Sequence, residues 1–493
     1  MIALLNPKSA RWNYRFPLSL MHVGAVLENK YPYEIIDQNL DALAVKRIEK
    51  LASTGQLKYL GITVMPGPQL QQAIPISKHL KKRFPDLTII WGGYFATLHA
   101  GEVLASGYVD YVVRGPGEVA FFDLVNTLER NSTREKDSIH GLSFVGPGGE
   151  IVHNTQAEPV DPNLWPHLPY DKIQAERYLN RTYLGTKTAG YYSSVGCPFL
   201  CGFCAIASIY QARWLAKAPD RIVDDLMELK GRFGVNAVEF FDENFFTREK
   251  RVHEFSEKMI DRGISWWGEG RPDTVLAYSD DTLRAMRRGG CKMIFFGAES
   301  SSQETLKKMH KGGTQTPDTV LELAHRLRHV GIVPEFSFVL GSPSADVDGD
   351  IDRDISFIRK VKHINPAAEI ILYMYAPVVF DTSELTRIAQ EYGFSFPKTL
   401  EEWMQSDWQK FDLRKTPVIP WLKPRHYGRI RNFERVLNGY YPTVTDVKLT
   451  KLRQWVLRAF SRWRYQASVY WSPLEIRLLL RLFRYRQPEI EGF

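Results

Sequence analysis

Cysteine is scarce in this sequence. Only four cysteines occur among 493 residues, and three of them fall within eight consecutive positions. So few thiols exclude a secreted scaffold that is held together by disulfides. Their crowding favours a metal or iron–sulfur site in a reducing compartment.

Long apolar runs are absent as well. A bilayer span needs about 18 uninterrupted apolar residues, and no segment is that long. The opening MIALLNPKSARWNYRFPLSL lacks the basic stretch and the long apolar stretch of a signal peptide. With 44% hydrophobic and 24% charged residues, the chain has an ordinary globular composition. We therefore expect a folded cytoplasmic protein, and its length predicts about three structural units.

Short apolar runs alternate with helical patterns through the first 130 residues. Strands that alternate with helices of this length predict an α/β fold, in which helices cover both faces of a Rossmann-like, doubly wound parallel sheet. The predicted strands are MIALLNP, YEIID, YLGITVM, LTIIWGG and YVDYVVRG. Glycine and proline collect in the loops after these strands, where ligands of such sheets bind.

A second series of strands and helices runs from residue 187 to about residue 380. It predicts a partial (β/α)6 barrel with its chemistry at the carboxyl ends of the strands. The predicted strands are GYYSSVG, AVEFFD, SWWGEGR, KMIFFGAES, EFSFVLG and EIILYMYAP. The chain thus divides into a first domain at 1–135, a linker at 136–185 with a hairpin at GLSFVGPGGEIVHN, a barrel at 186–385 and a helical C-terminal region at 386–493.

The crowded cysteines form a motif with C-x3-C-x2-C spacing. Cys197, Cys201 and Cys204 follow directly after the first predicted strand of the barrel. Three thiolates can hold a [4Fe–4S] cluster and leave its fourth iron open to another ligand. Structural zinc is the alternative, but it usually requires a second pair of ligands, which the sequence lacks. The remaining Cys291 is predicted to be a small buried residue.

The string GCPFLCGFC resembles the signature of radical S-adenosylmethionine enzymes. The resemblance continues in the later loops, through DEN, EGRPD, GAES and VLG. It implies a [4Fe–4S] cluster whose open iron binds S-adenosylmethionine and which cleaves it reductively to a 5′-deoxyadenosyl radical. By their positions in that family, the residues implied to surround S-adenosylmethionine are Phe203, Asp242, Glu243, Asn244, Glu269, Arg271, Glu299, Ser300 and Gly341.

The N-terminal half resembles the cobalamin-binding domain of cobalamin-dependent members of that family. The strings that carry the resemblance are LLNP, GITVMPGPQ, WGGYFATLHAGEVL and VVRGPGEVAFFDLV. The residues implied to contact cobalamin are Thr63, Met65, Gly67, Gly92, Gly93, Tyr94, Gly115 and Glu118.

One feature of some cobalamin proteins is missing from this half. The first loop, KSARWNYRFP, lacks the D-x-H-x-x-G motif whose histidine binds cobalt. His22 and His99 are interpreted as ordinary helix or loop residues. The lower axial position of cobalt is therefore either empty or held by a group other than histidine.

Cobalamin beside a radical generator implies methyl transfer to an unactivated carbon of a large hydrophobic or anionic metabolite. An alternative within the family is oxidation without methyl transfer, as in the anaerobic cyclase of bacteriochlorophyll synthesis. A non-catalytic iron–sulfur or cobalamin-binding protein is the alternative of another class. The resemblance also implies a reductant such as flavodoxin or ferredoxin.

Positive charge is concentrated at the end of the chain. The formal net charge is +8, but residues from Arg414 onward carry 17 Lys and Arg against 5 Asp and Glu, so the rest of the chain is slightly acidic. Arginines alternate with aromatic residues there, and Leu474, Arg477, Leu478, Arg481, Leu482 and Tyr485 fall on neighbouring helical faces.

Three interpretations of this C-terminal region remain. It could be a helical cap on the barrel, a helix that contacts the inner membrane surface for a lipid substrate, or an anion-binding lid for a carboxylated or phosphorylated substrate. No nucleic-acid recognition module occurs. Before this region, MYAPVVFDTSEL replaces the Pro-Gly-Thr turn of related enzymes, which predicts an altered barrel mouth.

Overall fold

The structure is a computed structural model of the chain. It describes residues 1–9, 14–130, 134–311, 313–380, 382–411, 418–446 and 449–483. Residues 10–13 of the first loop, Asp381 of the altered barrel mouth and Tyr485 of the last helical pattern lie outside these ranges.

The first unit is a seven-stranded sheet with the order β2-β1-β3-β4-β5-β6-β7. The first five strands are parallel and the last two are antiparallel. Its elements are β1 (Ile2–Asn6), α1 (Leu18–Leu27), β2 (Tyr33–Asp37), α2 (Ala44–Ser53), β3 (Tyr59–Thr63), α3 (Pro68–Arg83), β4 (Thr88–Gly92), α4 (Tyr94–Leu98), α5 (Ala100–Ala105), β5 (Tyr111–Val113), α6 (Glu118–Glu129), β6 (Leu142–Val145) and β7 (Ile151–His153).

Helices cover both faces of this sheet, because its central strands are apolar on both sides. All five residues of β1 are buried. Met21 of α1 and Leu124 of α6 lie in one buried cluster, whereas Ile48 of α2 and Leu80 of α3 lie in the other. The order 2-1-3-4-5 places a topological switch point between β1 and β3, where such sheets bind ligands.

The predicted hairpin is present and belongs to the first sheet. Phe144 of β6 pairs with Tyr111 of β5, so the segment 136–185 begins with two strands of that sheet. Short 3-10 turns at Pro162–Leu164, Tyr170–Lys172 and Ala175–Tyr178 then lead to the second unit.

The second unit is a six-stranded parallel sheet with the order β15-β14-β13-β12-β11-β8. This is the predicted partial (β/α)6 barrel. Its elements are β8 (Thr188–Tyr191), β9 (Ser194–Gly196), α7 (Ala205–Tyr210), β10 (Trp214–Ala216), α8 (Pro219–Phe233), β11 (Ala237–Phe240), α9 (Glu249–Met259), β12 (Ser265–Gly270), α10 (Pro272–Leu276), α11 (Asp280–Arg288), β13 (Cys291–Glu299), α12 (Gln303–Lys308), α13 (Pro317–Val330), β14 (Val333–Leu340), α14 (Val347–Ile364) and β15 (Glu369–Met374).

The predicted strand GYYSSVG is two strands in the structure. β8 pairs with β11 in the barrel, whereas β9 leaves the barrel and pairs antiparallel with β10. The chain turns between them at Ser193, whose N–H and hydroxyl both donate to the buried carboxylate of Asp242. β10 was not predicted, because its three residues carry no alternating pattern.

The C-terminal region is helical, as predicted, and packs on both units. Leu400 and Trp403 join the core beneath the first sheet, while the last three helices form a layer against α14. The helices of this region are α15 (Glu384–Glu391), α16 (Leu400–Trp403), α17 (Pro424–Tyr440), α18 (Lys451–Gln466) and α19 (Leu474–Phe483). No helix within the described ranges is long and apolar enough to cross a membrane.

Candidate functional site

The three clustered cysteines lie on one loop at the mouth of the barrel. Gly196 ends β9 with φ +76°, a backbone conformation that favours glycine, and turns the chain into Cys197. Cys204 is the residue that precedes α7. The loop is fixed from outside, because the N–H of Gly202 donates to the carbonyl of Met309 at 2.9 Å.

Cys201 of this loop is buried, and Cys197 and Cys204 are partly buried. Burial, strengthened by the neighbouring thiols, raises the pKa of Cys197 to about 11 and that of Cys204 to about 12. Binding iron therefore requires these thiols to release protons. Within the described ranges, no three His, Cys, Asp or Glu side chains converge as the ligands of a single metal ion do. Ligands of a [4Fe–4S] cluster instead hold separate irons, which suits three spaced cysteines.

Arg271 reaches this loop from the end of β12. Its Nη1 atom lies 3.6 Å from Sγ of Cys201, and its guanidinium lies 4.1 Å from the centre of the Phe199 ring. Nε and Nη2 donate to the two carboxylate oxygens of Asp273 at 3.0 and 2.8 Å. This buried cation is therefore held between the cysteine loop and its ion-pair partner.

A second buried ion pair lies behind the cysteine loop. Nζ of Lys311 is 2.8 Å from Oε1 of Glu299 and donates to the carbonyl of Gly297 at 2.7 Å. Glu299 ends β13 with φ +64°, which is strained for a side chain of its type. The carbonyl of Lys311 accepts from Arg271 at 3.2 Å, so the two ion pairs are joined.

Three predicted residues, Glu243, Asn244 and Glu269, bring polar groups to the mouth of the barrel. Burial raises the pKa of Glu243 to about 7, and burial together with Glu243 and Glu335 raises that of Glu269 to about 8. Oε2 of Glu243 and both side-chain amide atoms of Asn244 are buried without a hydrogen-bond partner. Such atoms are costly unless a ligand satisfies them, so this edge fits a polar, cationic group.

The side chains of Asp242 and Ser300 form hydrogen bonds with neighbouring loops and with α14. The Asp242 carboxylate accepts from the N–H of Ser193 at 2.6 Å and from the hydroxyl of Ser194 at 2.7 Å. The hydroxyl of Ser300 lies 3.3 Å from Oδ1 of Asp354 on α14 and accepts from a backbone N–H. Their polar atoms hold neighbouring loops in place, and their place around S-adenosylmethionine stays a prediction.

The C-terminal region covers the end of β14. Gly341 has φ +78°, and its carbonyl accepts from the indole N–H of Trp421 at 3.0 Å. A Cβ atom on Gly341 would lie 2.9 Å from the side chain of Leu422. Phe203 of the cysteine loop packs on the same apolar cluster as Trp421. The barrel mouth is therefore closed on this side by residues from the C-terminal region.

The altered barrel mouth contacts the cysteine loop directly. Ser383 precedes α15, where its hydroxyl accepts from the N–H of Thr386. The same hydroxyl donates to the carbonyl of Gly202. The sequence FDTSEL therefore braces the cysteine loop, although Asp381 itself lies outside the described residues.

The predicted cobalamin residues follow neighbouring strands of the first sheet. Thr63 ends β3, and the N–H of Met65 just beyond it donates to Oε1 of Gln69 at 3.0 Å. Gly92 ends β4, and Gly93 follows with φ +88°. A Cβ atom on Gly93 would lie 3.0 Å from the backbone nitrogen of Val64, so the loops after β3 and β4 approach too closely for any side chain there.

Two further loops complete this edge of the first sheet. Gly67 and Gly115 have φ of +78° and +74°, and a Cβ atom on either would meet no atom within 4 Å. Their backbones therefore border open space, which fits the close approach of a large ring or its tail. Glu118 opens α6, and burial raises its pKa.

The edges of the two units face each other. Burial raises the pKa of the Tyr94 phenol, and the nearby Cys204 raises it further. Tyr210, at the end of α7, has its pKa raised first by burial and then by Glu243 of the barrel and Glu118 of the first unit. Helix α4, which begins at Tyr94, also contacts α7, so the loop that is predicted to contact cobalamin adjoins the loop that is predicted to hold the cluster.

The two histidines outside these loops are core residues. His22 packs edge-on against Trp165 with ring centres 4.4 Å apart, and burial lowers its pKa to about 3. His99 stacks on Phe95 and meets Trp403 edge-on. Both therefore serve packing, as the sequence suggested.

Several residues of the site were not identified from the sequence. The clearest examples are Lys311, which pairs with Glu299, and Ser342. The hydroxyl of Ser342 is buried without a hydrogen-bond partner. Ser342 could have been found from its place directly after Gly341. Lys311 has no such signal, because a lysine in a polar loop is usually exposed.

A cysteine loop at the mouth of a partial barrel is the arrangement of radical S-adenosylmethionine enzymes, and the unit against it has the strand order of doubly wound nucleotide-type domains. Residues 191–354 match the radical SAM superfamily, and residues 13–125 match the B12 binding domain. The chain thus matches both kinds of domain that the sequence predicts, a radical S-adenosylmethionine domain and a cobalamin-binding domain. The predicted fold, enzyme class and three cofactors, namely the [4Fe–4S] cluster, S-adenosylmethionine and cobalamin, are thereby confirmed.

Named relatives are similar over most of the chain. An uncharacterized methyltransferase of Pyrococcus horikoshii is 27% identical over 355 residues, which cover 70% of this chain and 73% of that protein. The anaerobic magnesium-protoporphyrin IX monomethyl ester cyclase of Synechocystis sp. is 28% identical over 390 residues, which cover 76% and 74%.

A solved structure confirms the arrangement of the fold. The cobalamin-dependent S-adenosylmethionine radical enzyme OxsB, with aqua-cobalamin and S-adenosylmethionine bound, matches with a TM-score of 0.71 at 17% identity, covering 100% of this chain and 76% of that chain. At this identity the likeness concerns the fold alone. The assignment of individual residues to the cofactors stays a prediction.

Proposed function

We propose that the protein transfers a methyl group to an unactivated carbon of a large, mainly apolar metabolite. The observation that carries this proposal is that α4, which begins at Tyr94, contacts α7, which begins directly after Cys204. A methyl donor and a radical generator must act on one carbon, so their sites have to adjoin.

Cys197, Cys201 and Cys204 are proposed to hold the cluster, which supplies the electron for cleavage of S-adenosylmethionine. Arg271 and Lys311 position the cysteine loop, because Arg271 reaches it from the end of β12 and Lys311 from the loop after α12. Their ion pairs keep both cations fixed in a buried setting, where an uncompensated charge would be costly.

Glu243, Asn244 and Glu269 are proposed to bind S-adenosylmethionine. The pKa values of both glutamates are raised because burial, together with neighbouring carboxylates, disfavours their ionised forms. A sulfonium or ammonium group beside them would favour ionisation. An ammonium group could also donate to Oε2 of Glu243 and Oδ1 of Asn244, whereas Nδ2 of Asn244 needs an acceptor such as a carboxylate. Glu299 and Gly341 support this edge of the site through their backbones.

Thr63, Met65, Gly67, Gly92, Gly93, Tyr94, Gly115 and Glu118 are proposed to line the cobalamin site. The open space at Gly67 and Gly115 lets the backbone approach the ligand. No histidine among the described residues of this edge reaches it, so we propose that the lower face of cobalamin is not held by His22 or His99.

Incubation with S-adenosylmethionine that carries a deuterated methyl group tests the reaction. Reduced, reconstituted enzyme is added to an apolar extract of cells that lack this protein. The proposal predicts a product with the label, together with both 5′-deoxyadenosine and S-adenosylhomocysteine. Formation of 5′-deoxyadenosine with a changed but unlabelled product would contradict methyl transfer.

The same experiment decides on the second candidate, an oxidative cyclase. Its support is the similarity to the Synechocystis cyclase. For that function, the product loses hydrogen and gains no methyl group. S-adenosylhomocysteine is then not formed.

The enzyme is proposed to act in the cytoplasm or at the inner membrane face, with a flavodoxin or ferredoxin as its electron donor. Leu200, between Phe199 and Cys201, is 47% exposed. An electron donor can therefore come close to the cysteine loop. Cross-linking of reduced flavodoxin should be lost in the Leu200→Asp variant if this is the docking point.

A further inference from the structure

The last two helices expose an unusual number of large apolar side chains. Of the sixteen such residues exposed in the described ranges, eight lie between residues 452 and 482. We call them the C-terminal apolar patch: Leu452, Trp455, Phe460, Trp463, Trp471, Leu474, Leu478 and Leu482. Trp471 is 75% exposed and Trp455 is 67% exposed. Exposed apolar groups in such a group usually mark an interaction surface.

The patch lies opposite the face by which α18 packs on the protein. Leu457, Ser461 and Tyr465 of α18 are buried, and Tyr465 stacks on Tyr440 of α17 with ring centres 4.7 Å apart. Leu452, Trp455 and Trp463 follow the spacing of a second helical stripe on the outer side. Along residues 451–483 the aromatic residues are thus divided, with Tyr465 packed inward and Trp455, Trp463 and Trp471 turned outward.

Positive charge surrounds the patch. Residues 449–483 contain seven Lys and Arg and one acidic residue, Glu475, which is paired with the buried Arg464. The other six cations are exposed, and none forms an ion pair with another described residue: Lys451, Arg453, Arg458, Arg462, Arg477 and Arg481. On α18, Lys451, Arg458 and Arg462 lie along one flank of the apolar stripe.

Exposed tryptophan and leucine beside unpaired arginine suit the surface of an anionic lipid bilayer. Tryptophan and leucine insert at the boundary between lipid head groups and acyl chains, while arginine side chains extend toward phosphates. Each basic residue near an anionic bilayer contributes about 1 kcal/mol. Two copies of this surface would instead bring six unpaired cations against six others, which opposes self-association.

We propose that the C-terminal apolar patch binds the surface of an anionic phospholipid bilayer. The inference specifies the membrane contact included in the proposed function and does not depend on the reaction that the enzyme catalyses. The tryptophans enter the head-group region, and the flanking arginines contact lipid phosphates. The barrel is then held at the surface where apolar substrates are dissolved.

Flotation of the full-length protein with vesicles tests this inference. Vesicles of phosphatidylcholine with about one third phosphatidylglycerol are compared with pure phosphatidylcholine, at low and high salt. Binding should require the anionic lipid, weaken at high salt and shift tryptophan emission to shorter wavelength. Absence of binding to the anionic vesicles would overturn the proposal.

Two variants separate the contributions of the surface. Trp455→Ser/Trp463→Ser/Trp471→Ser should weaken binding at least about tenfold, whereas Arg458→Glu/Arg462→Glu should remove the preference for anionic lipid. The matched control is Leu43→Ser/Leu164→Ser, which changes exposed leucines elsewhere (60% and 74% exposed) and should bind like the wild type. Equal binding by all variants would contradict the assignment.

Two further measurements keep the outcome specific. Sedimentation without vesicles should give the same oligomeric state for the wild type and the tryptophan variant; a dimer that the variant dissolves would identify a second copy as the partner and overturn the proposal. Cleavage of S-adenosylmethionine in buffer should be unchanged in all variants. Loss of vesicle binding with retained cleavage therefore separates this surface from the reaction.

Discussion

Arg271 connects the barrel to the cysteine loop through three contacts of its guanidinium group. Its guanidinium donates toward Sγ of Cys201, lies over Phe199 and is oriented by Asp273. Hydrogen bonds to the sulfur ligands of an iron–sulfur cluster stabilise its more negative, reduced form. Arg271 is therefore a positioning residue that should also affect the potential of the cluster.

Replacing Arg271 tests this role. Arg271→Lys retains the charge but loses the planar contacts, so we expect near-normal iron content with a more negative reduction potential. The potential is measured by a redox titration followed by electron paramagnetic resonance. Arg248→Lys, on the surface beside Trp214, is the control. An unchanged potential in Arg271→Lys would contradict the role.

Glu269 makes the stability of the protein depend on pH. Its pKa is raised from 4.5 to about 8, mainly by burial. Between these values the folded state keeps a proton that the unfolded state has released, so the free energy of unfolding falls as the pH rises through this window. Above a pH of about 8 this contribution is fully lost.

Glu269→Gln should remove this dependence. The free energy of unfolding is measured by urea denaturation of the protein without ligands. From about pH 6 to about pH 9, the difference in this free energy between the variant and the wild type should grow by about 2 kcal/mol in favour of the variant. Glu322→Gln, on an exposed position of α13, is the matched control and should follow the wild type. Parallel curves for Glu269→Gln and the wild type would refute the cause given for the raised pKa.

The cysteines could be identified from sequence because their spacing alone has few interpretations. The directions of Asp242 and Ser300 could not, since a polar residue in a loop can face either side of it. Here their partners are Ser193 and Asp354, which are about 50 residues away in the chain. Lys311 could not be predicted either, because it lies in a loop and its burial depends on the carboxylate of Glu299 on β13.

At the scale of elements, close contact between neighbouring loops shapes the edge of the first sheet. The loop after β4 passes so near the loop after β3 that Gly93 has no room for a side chain. The contact fixes Gly92 and Tyr94 at the switch-point edge of the sheet. A single methyl group at this point should therefore disturb the proposed cobalamin site.

Gly93→Ala should destabilise the protein by about 3 kcal/mol, because it combines backbone strain with a clash against Val64. Gly107→Ala is the matched control, since its φ is +74° but a Cβ atom there would meet nothing within 4 Å. It should cost only the backbone strain of about 1 kcal/mol. Urea denaturation and the affinity for hydroxocobalamin are the measurements. Equal effects of the two substitutions would contradict the close approach.

Most elements followed from local pattern, because buried parallel strands are continuous apolar runs that end at glycine or proline. YEIID, for example, is β2 without any shift of its ends. The division of GYYSSVG into β8 and β9 could not be foreseen. It depends on Asp242, which draws Ser193 and Ser194 out of the strand from across the barrel.

At the scale of the whole molecule, the C-terminal region joins the two cofactor units. Trp403 packs against Phe95 beneath the first sheet, while Trp421 covers the end of β14 in the barrel. Neither contact could be predicted, since composition locates an aromatic residue but not its partner. The sequence did locate the positive charge, and the structure adds that its apolar neighbours face solvent rather than the barrel.

Iron content and cleavage of S-adenosylmethionine, measured on the same anaerobic samples, test the central claim most directly. The wild type and Cys291→Ala, whose thiol is buried at the start of β13, should each bind about four iron per chain and form 5′-deoxyadenosine under reduction. Cys197→Ala, Cys201→Ala and Cys204→Ala should each lose the cleavage. Cleavage that persists in any of these three variants would contradict the account.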